Sequence, residues 1–345
     1  MAEDKPDFKS LIAIVADGNA LSVEQARGAF HIMMSGDATP SQMGAFLMAL
    51  RVRGESVDEI TGGVMVMRER MTTLNAPPGT MDIVGTGGDG KKTLNISTAT
   101  TFVVAGCGVP IAKHGNRAAS SESGTTDVQS ALGINVDADF SLLQTALDEA
   151  NLCFMAAQRH HGAMRNVGPT RVEMGTRTIF NILGPMSNPA GVKRQLIGVF
   201  AREWMMPMAE TLRTLGSEKV WVVHGSDGTD EITSTGPTYV AALEDGEITE
   251  FEITPDQAGI PTATLADLRG GTIAENAAAL TALLDGAPSA YRDVVLFNAA
   301  AALMIAGKAA DFSDGVEMAA RSIDDNHAAE KLAQLVEITN RDVAG

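Results

Sequence analysis

Pro77-Pro78-Gly79 separates two patterns of hydrophobic spacing that no single repeating architecture accommodates. Before it, apolar residues recur only at helical spacing. After it, short β-branched runs alternate with helical stretches. A Pro-Pro-Gly break between such regimes marks a boundary between differently built parts of the chain.

The first part reads as four short helices. One lies around Phe8–Val15. Ser22-Val23-Glu24-Gln25 has the form of a capping box and is followed by Ala26, Phe30, Met33 and Met34 on one face, with Gly36 as a stop. Thr39-Pro40 offers a cap followed by proline at the first helical position, and Met43, Phe46, Leu47 and Leu50 line the next face. Ser56-Val57-Asp58-Glu59 is a second capping box, leading into Ile60, Val64 and Met67.

In the second part the alternation runs through Asp82–Val84, Thr98–Ala105 and Val109–Ala112. It continues through Leu196–Phe200, a helix around Met205–Leu215, and Val220–Val223. Strand–helix alternation implies an α/β sheet that is at least partly parallel. Ala163–Leu183 reads as helical, and Asn276–Leu284, Val294–Ile305 and Val316–Leu335 form a helix-rich end expected to cover the sheet. The 345 residues, 45% hydrophobic and 20% charged, suffice for one large and one small domain.

Three motifs suggest chemistry that their neighbours exclude. Gly85-Thr86-Gly87-Gly88-Asp89-Gly90 matches G-x-G-x-x-G, but the second strand ends at Lys113-His114, without the carboxylate a dinucleotide ribose needs. The same loop approaches a phosphate-binding P-loop through Lys91, yet Lys92 stands where a hydroxyl must reach magnesium. His160-His161 are adjacent, whereas paired helical metal ligands want a spacing of four, so structural or substrate-lining roles are expected.

Three donor-rich loops remain at successive strand ends. The glycine turn exposes backbone amides, Asn95-Ile96-Ser97-Thr98 opens a helix, and Lys113-His114-Gly115-Asn116-Arg117 runs on to Ser120, Ser121 and Ser123. Free amides at turns and helix starts bind anions, and open α/β sheets bind ligands at the carboxyl ends of their strands. A phosphorylated ligand follows. The net charge of −17 opposes the backbone of nucleic acid as a bulk partner, without opposing a small anion met by local donors.

Together these loops resemble the anthranilate phosphoribosyltransferase family: GTGGD at Gly85–Asp89, NxST at Asn95–Thr98 and KHGNR at Lys113–Arg117. The likeness continues in RTIFNILGP at Arg177–Pro185 and HGSDGTDE at His224–Glu231. The resemblance implies a small N-terminal helical domain, residues 1–75 joined in space by helices from about 163–183. It implies a large α/β domain, residues 76–345, with a mostly parallel central sheet covered by helices. Its reaction moves the phosphoribosyl group of phosphoribosyl pyrophosphate to the amine of anthranilate, in tryptophan biosynthesis. By the same resemblance the sugar substrate meets Gly85, Gly88, Asp89, Thr93, Asn95, Ile96, Ser97, Thr98, Lys113, His114, Gly115, Asn116, Arg117, Ala118, Ala119, Ser120, Ser121 and Thr125. Anthranilate meets Gly85, Asn116 and Arg171. Magnesium, as two ions, is held through Ser97, Asp230 and Glu231, and the chain pairs as a homodimer through its helical domain. Positioning by Lys113, Asn116 and Arg171 is expected, rather than a defined acid or base.

The residue types suit this chemistry on their own terms. Hard magnesium takes carboxylate and hydroxyl oxygens, and an arginine fork suits the carboxylate of anthranilate. The chain departs from the family at Glu122, where a basic residue is usual, at Gly124-Thr125-Thr126-Asp127, and at Ala156-Ala157-Gln158. Alternatives are a nucleoside phosphorylase-like enzyme and a non-catalytic nucleic-acid-binding relative of the same fold. Two cysteines, Cys107 and Cys153, make no disulfide framework. Met1-Ala2-Glu3-Asp4 lacks the features of a secretory leader, and no apolar run approaches the roughly 20 residues that span a bilayer, so a cytoplasmic, membrane-free location is expected.

Overall fold

The computed structural model describes residues 7–115 and 124–342. Its N-terminal part comprises α1 (Phe8–Ala16), α2 (Val23–Ser35), α3 (Pro40–Arg53) and α4 (Val57–Glu69). Both expected capping boxes form, and Thr39 with Gln42 makes a third. Each satisfies amides that a helix start leaves unpaired, worth ~1 kcal/mol per cap. Glu59 does more than cap. Fully buried, it accepts the amides of Ser56 and Leu21 and pairs with Arg53, tying α4 to α3 and to the start of α2. Phe8, Phe30, Phe46, Leu47 and Ile60 fill the space between these helices.

The chain then forms a seven-stranded sheet among the described residues, in the order β3-β2-β1-β4-β5-β6-β7. Strands β1 (Met81–Gly85), β2 (Ile111–Gly115), β3 (Leu152–Ala156), β4 (Arg194–Gly198) and β5 (Lys219–Gly225) are parallel. Strands β6 (Thr238–Glu244) and β7 (Glu247–Ile253) extend the sheet as an antiparallel hairpin. Its turn, Asp245-Gly246, has positive φ at both residues, the form that a two-residue hairpin requires. That dipeptide carries the signal for a hairpin absent from the expected strands; β3 was likewise not anticipated.

One sheet face is covered by α5 (Ile96–Gly106), α7 (Phe140–Ala150), α12 (Ile273–Leu284), α13 (Ala290–Ala306), α14 (Phe312–Asp324) and α15 (His327–Thr339), with α6 (Thr125–Ala131) beside α12. The other face packs on α11 (Met205–Thr214), which contacts α4. Short helices α8 (Ala157–His160), α9 (Gly168–Met174) and α10 (Phe180–Leu183) follow β3. Val167, Ile179, Phe180 and Leu183 join the apolar cluster of α2–α4, with Phe30 and Phe180 edge to face at 5.5 Å. That cluster continues through Ile197 and Val222 on the sheet, so the N-terminal helices and one sheet face share a core. Among the described residues, no helix is long and apolar enough to cross a membrane.

Candidate active site

Strand β1 lies between β2 and β4, so the sheet order reverses there and a crevice opens beyond the carboxyl ends of these strands. Four strands bordering it end in glycine: Gly85, Gly115, Gly198 and Gly225. At two of them the reason is visible. A Cβ on Gly85 would strike the carboxylate of Asp230, and one on Gly198 would strike its backbone carbonyl. The segment after β5 crosses directly over the ends of β1 and β4, which only bare backbone permits.

This crossing places Asp230 and Glu231 at the centre of the crevice. Asp230 Oδ2 accepts the Gly87 amide at 2.6 Å, and Glu231 Oε1 accepts the Ser97 amide at 3.2 Å in the first turn of α5. One carboxylate is therefore held by the glycine turn and the other by the positive end of a helix. Burial raises the pKa of both well above the carboxylate range; Asp89 then adds to the rise at Asp230, and Asp230 to that at Glu231. The turn before the pair is rigid, because Asp227 accepts the hydroxyls of Thr229, Thr233 and Thr235.

Lys113 departs in placement from a cation offered freely to phosphate. It is buried, and its ammonium donates to the carbonyl of Ile83 and, at 3.2 Å, to Ser97 Oγ. Burial lowers its pKa, against the opposing pull of Asp82, Glu231 and Asp230. Its strand points it beneath the start of α5, where it offsets the carboxylates. Asp82, also buried, accepts the His114 amide and the Asn188 carboxamide, and burial pushes its pKa to about 6.

The remaining predicted residues fall into three places. Gly88 and Asp89 follow β1 in the glycine turn; Thr93 bridges to Arg269; Asn95 precedes α5 as its N-cap, and Ile96 and Thr98 lie in its first turn. The Asn95 carbonyl accepts the Tyr291 hydroxyl at 2.9 Å, while the Asn95 Oδ1 and the Thr98 hydroxyl are buried with no hydrogen-bond partner among the described residues. His114 and Gly115 end β2, and Thr125 starts α6. Asn116, Arg117, Ala118, Ala119, Ser120 and Ser121, with Glu122, lie outside the described residues.

Arg171 stands on α9. Its guanidinium lies 5.3 Å from the Phe180 ring centre and reaches Asn181 Oδ1 at 3.5 Å. Arg177, which was not among the expected contacts, joins the two sides. It stacks on Phe200 at 4.0 Å and donates to the Gly88 carbonyl, while Arg51 of α3 donates to the Arg177 carbonyl at 2.7 Å. Its only sequence signal was membership of the RTIFNILGP run. His161 is no metal ligand partner of His160: its Nε2 lies 3.2 Å from His114 Nε2, while His160 Nδ1 contacts the Thr72 carbonyl at 2.6 Å.

The acidic pair tests whether magnesium fits. Two half-buried carboxylates, set beside Lys113, a serine hydroxyl and an anion-binding turn, form a donor set for a hard cation. Among the described residues no group of three or more His, Cys, Asp or Glu is arranged to hold a metal by itself.

Comparison with known proteins agrees with this geometry. Residues 77–329 match the glycosyl transferase family a/b domain, and residues 9–71 its helical bundle domain. Anthranilate phosphoribosyltransferase of Rhodopseudomonas palustris strain BisA53 is 59% identical over 334 residues, 97% of this chain and 98% of that one. The crystal structure of the Thermus thermophilus enzyme superposes with a TM-score of 0.91 at 38% identity, covering 96% of this chain and 99% of that chain. The Saccharomyces cerevisiae enzyme in complex with phosphoribosyl pyrophosphate and magnesium superposes at 0.87 with 25% identity, covering 98% and 99%. The chain belongs to the glycosyl transferase family, among the anthranilate phosphoribosyltransferases.

Proposed function

We propose that this protein transfers the phosphoribosyl group of phosphoribosyl pyrophosphate to the amine of anthranilate, releasing pyrophosphate, as a step of tryptophan biosynthesis. The observation that carries the reading is the acidic pair Asp230–Glu231, held against the glycine turn and the start of α5 at the reversal of the sheet. The relatives named above act on anthranilate, and the yeast enzyme binds the sugar substrate with magnesium.

In this reading the amides of the turn at Gly85–Asp89 and of the α5 start, with Thr93, Asn95, Ser97 and Thr98, receive phosphate oxygens. The buried Asn95 Oδ1 and Thr98 Oγ1, without a partner among the described residues, would have their hydrogen bonds completed by this ligand. Asp230, Glu231 and Ser97 would hold magnesium, as two ions, which would supply the positive charge that makes pyrophosphate a good leaving group. The bond from the ribose C1 to pyrophosphate breaks, the bond to the anthranilate nitrogen forms, and the amine proton passes to solvent. Arg171 and Gly85 position anthranilate so that capture is an aligned, effectively unimolecular step. No side chain at the crevice need act as a strong base; positioning and charge stabilisation suffice.

The helical part supplies the pairing surface of a homodimer. Of the four large hydrophobics exposed among the described residues, Met48 and Val52 on α3 and Val172 on α9 fall on adjoining helices. The protein works in the cytoplasm, with neither membrane nor nucleic acid as partner. The decisive experiment follows the loss of anthranilate fluorescence with phosphoribosyl pyrophosphate, with and without magnesium. Magnesium-dependent loss supports the assignment. Phosphate-dependent cleavage of a nucleoside in its place would overturn it.

A further inference from the structure

Helix α13 packs on α5 and on strands β4 and β5, whose ends border the acidic pair. Tyr291 donates to the carbonyl of Asn95, the N-cap of the helix whose Ser97 amide meets Glu231. Two turns later on the same helix stands Asn298, fully buried. Its Oδ1 accepts the amide of Ile232 at 3.1 Å, and its Nδ2 donates to the Ile232 carbonyl at 2.7 Å and to Val294 at 2.8 Å. One carboxamide thus takes both main-chain groups of the residue that follows the acidic pair.

We propose that Asn298 is a positioning residue for the reaction, fixing where Asp230 and Glu231 present their carboxylates; this rests on the reading of that pair as the magnesium–pyrophosphate site. Taking one residue's main chain by donor and acceptor together sets its rotation as well as its place. An aliphatic residue offers neither contact, and aspartate keeps only the acceptor. A primary amide this deeply buried is costly unless every group is paired, and two of its three hydrogen bonds go to the residue after Glu231, the third to Val294 on its own helix. Ile232 is itself buried in the core cluster, so the main chain is pinned by side chain and backbone alike. On the opposite side Asp230 rests over Gly85 and Gly198. Tyr291 and Asn298 together let α13 set the gap between the α5 start and the acidic segment.

The test compares Asn298→Asp and Asn298→Ala with Val295→Ala, a core truncation on the same helix, and with the double variant Asp230→Ala/Glu231→Ala. Calorimetry without anthranilate gives the Kd of the magnesium–phosphoribosyl pyrophosphate complex; steady-state kinetics give the KM for anthranilate. Both Asn298 variants are expected to weaken the first by about tenfold or more and to change the second by less than about twofold. Asn298→Ala added to the double variant should have no further effect, because the coupled residues act as a unit. If Asn298→Ala lowers the Tm as Val295→Ala does and leaves the Kd within about twofold of wild type, the positioning role is overturned. If the double variant binds the complex like wild type, the reading of the acidic pair fails instead. Should the Asn298 variants not fold, hydrogen exchange of the wild-type Ile232 amide decides: protection equal to the core of α13 supports the clamp, and rapid exchange overturns it.

Discussion

Gly198 and Asp230 meet at the end of β4, with no room between them for a side chain on the glycine. The Asp230 atom in the way is its backbone carbonyl, which cannot swing aside as the end of a flexible side chain could. Gly198→Ala should therefore cost at least the ~1–3 kcal/mol of ordinary overpacking, or move the acidic segment off the strand ends. A lowered Tm together with a raised half-saturating magnesium concentration is expected. Wild-type values of both would show that the crossing is loose.

Removing the carboxylates themselves should separate chemistry from folding. Both are half-buried and held above their ordinary pKa, so Asp230→Ala/Glu231→Ala removes two groups whose charged form the site disfavours. The double variant should remain folded and lose most transfer activity, each lost charge-assisted contact of ~1.5–3 kcal/mol reducing rate or affinity by roughly tenfold to a hundredfold. Unchanged magnesium dependence would remove the metal assignment.

Arg171 is held over Phe180 and beside Asn181, so its guanidinium plane is already oriented. Arg171→Ala should raise the anthranilate KM by about tenfold or more with little change in sugar-substrate binding, the loss of one charged hydrogen bond. Arg171→Lys should not restore it, because an ammonium lacks the planar fork. Wild-type anthranilate kinetics in either variant would make Arg171 a packing residue.

The buried histidines should show in the acid limb of stability. Burial, and then the neighbouring charge of His160, pushes His161 down to about 4; burial and His161 hold His114 well below its ordinary value. A histidine with a lowered folded pKa is neutral when folded and protonates on unfolding. Its stabilising contribution is complete above about pH 6.5 and is lost as pH falls toward 4, at up to ~1.4 kcal/mol per pH unit for each group. Denaturant titrations at pH 7 and 5 should show this loss. His161→Gln should flatten the slope between them, and an unaltered slope would assign the acid sensitivity elsewhere.

Lys113 invites a comparison of two substrates. Its ammonium is bonded internally to Ile83 and Ser97 and also stands among the carboxylates. Lys113→Ala should weaken phosphoribosyl pyrophosphate far more than anthranilate if the cation also serves phosphate. Equal losses in titrations of the two would make its role purely structural. Glu122 lies outside the described residues, and Glu122→Lys tests its effect directly: less than about a threefold change in sugar affinity is expected.

Local features were legible in the sequence because their physics is local. The Ser22–Gln25 and Ser56–Glu59 caps, the strands around Ile83 and Val222, and the glycine turn after β1 depend on residues within a few positions of one another. The Asp245-Gly246 hairpin was equally local and was written in a dipeptide. What only the tertiary structure decided are meetings between distant segments: Asp230 over Gly85 and Gly198, Lys113 turned under α5, His114 against His161, and Arg177 reaching Gly88. The sequence named the donors and carboxylates. Their protonation, reach and mutual spacing follow from burial and from which elements pack side by side, and neither is encoded in the spacing of any single stretch of chain.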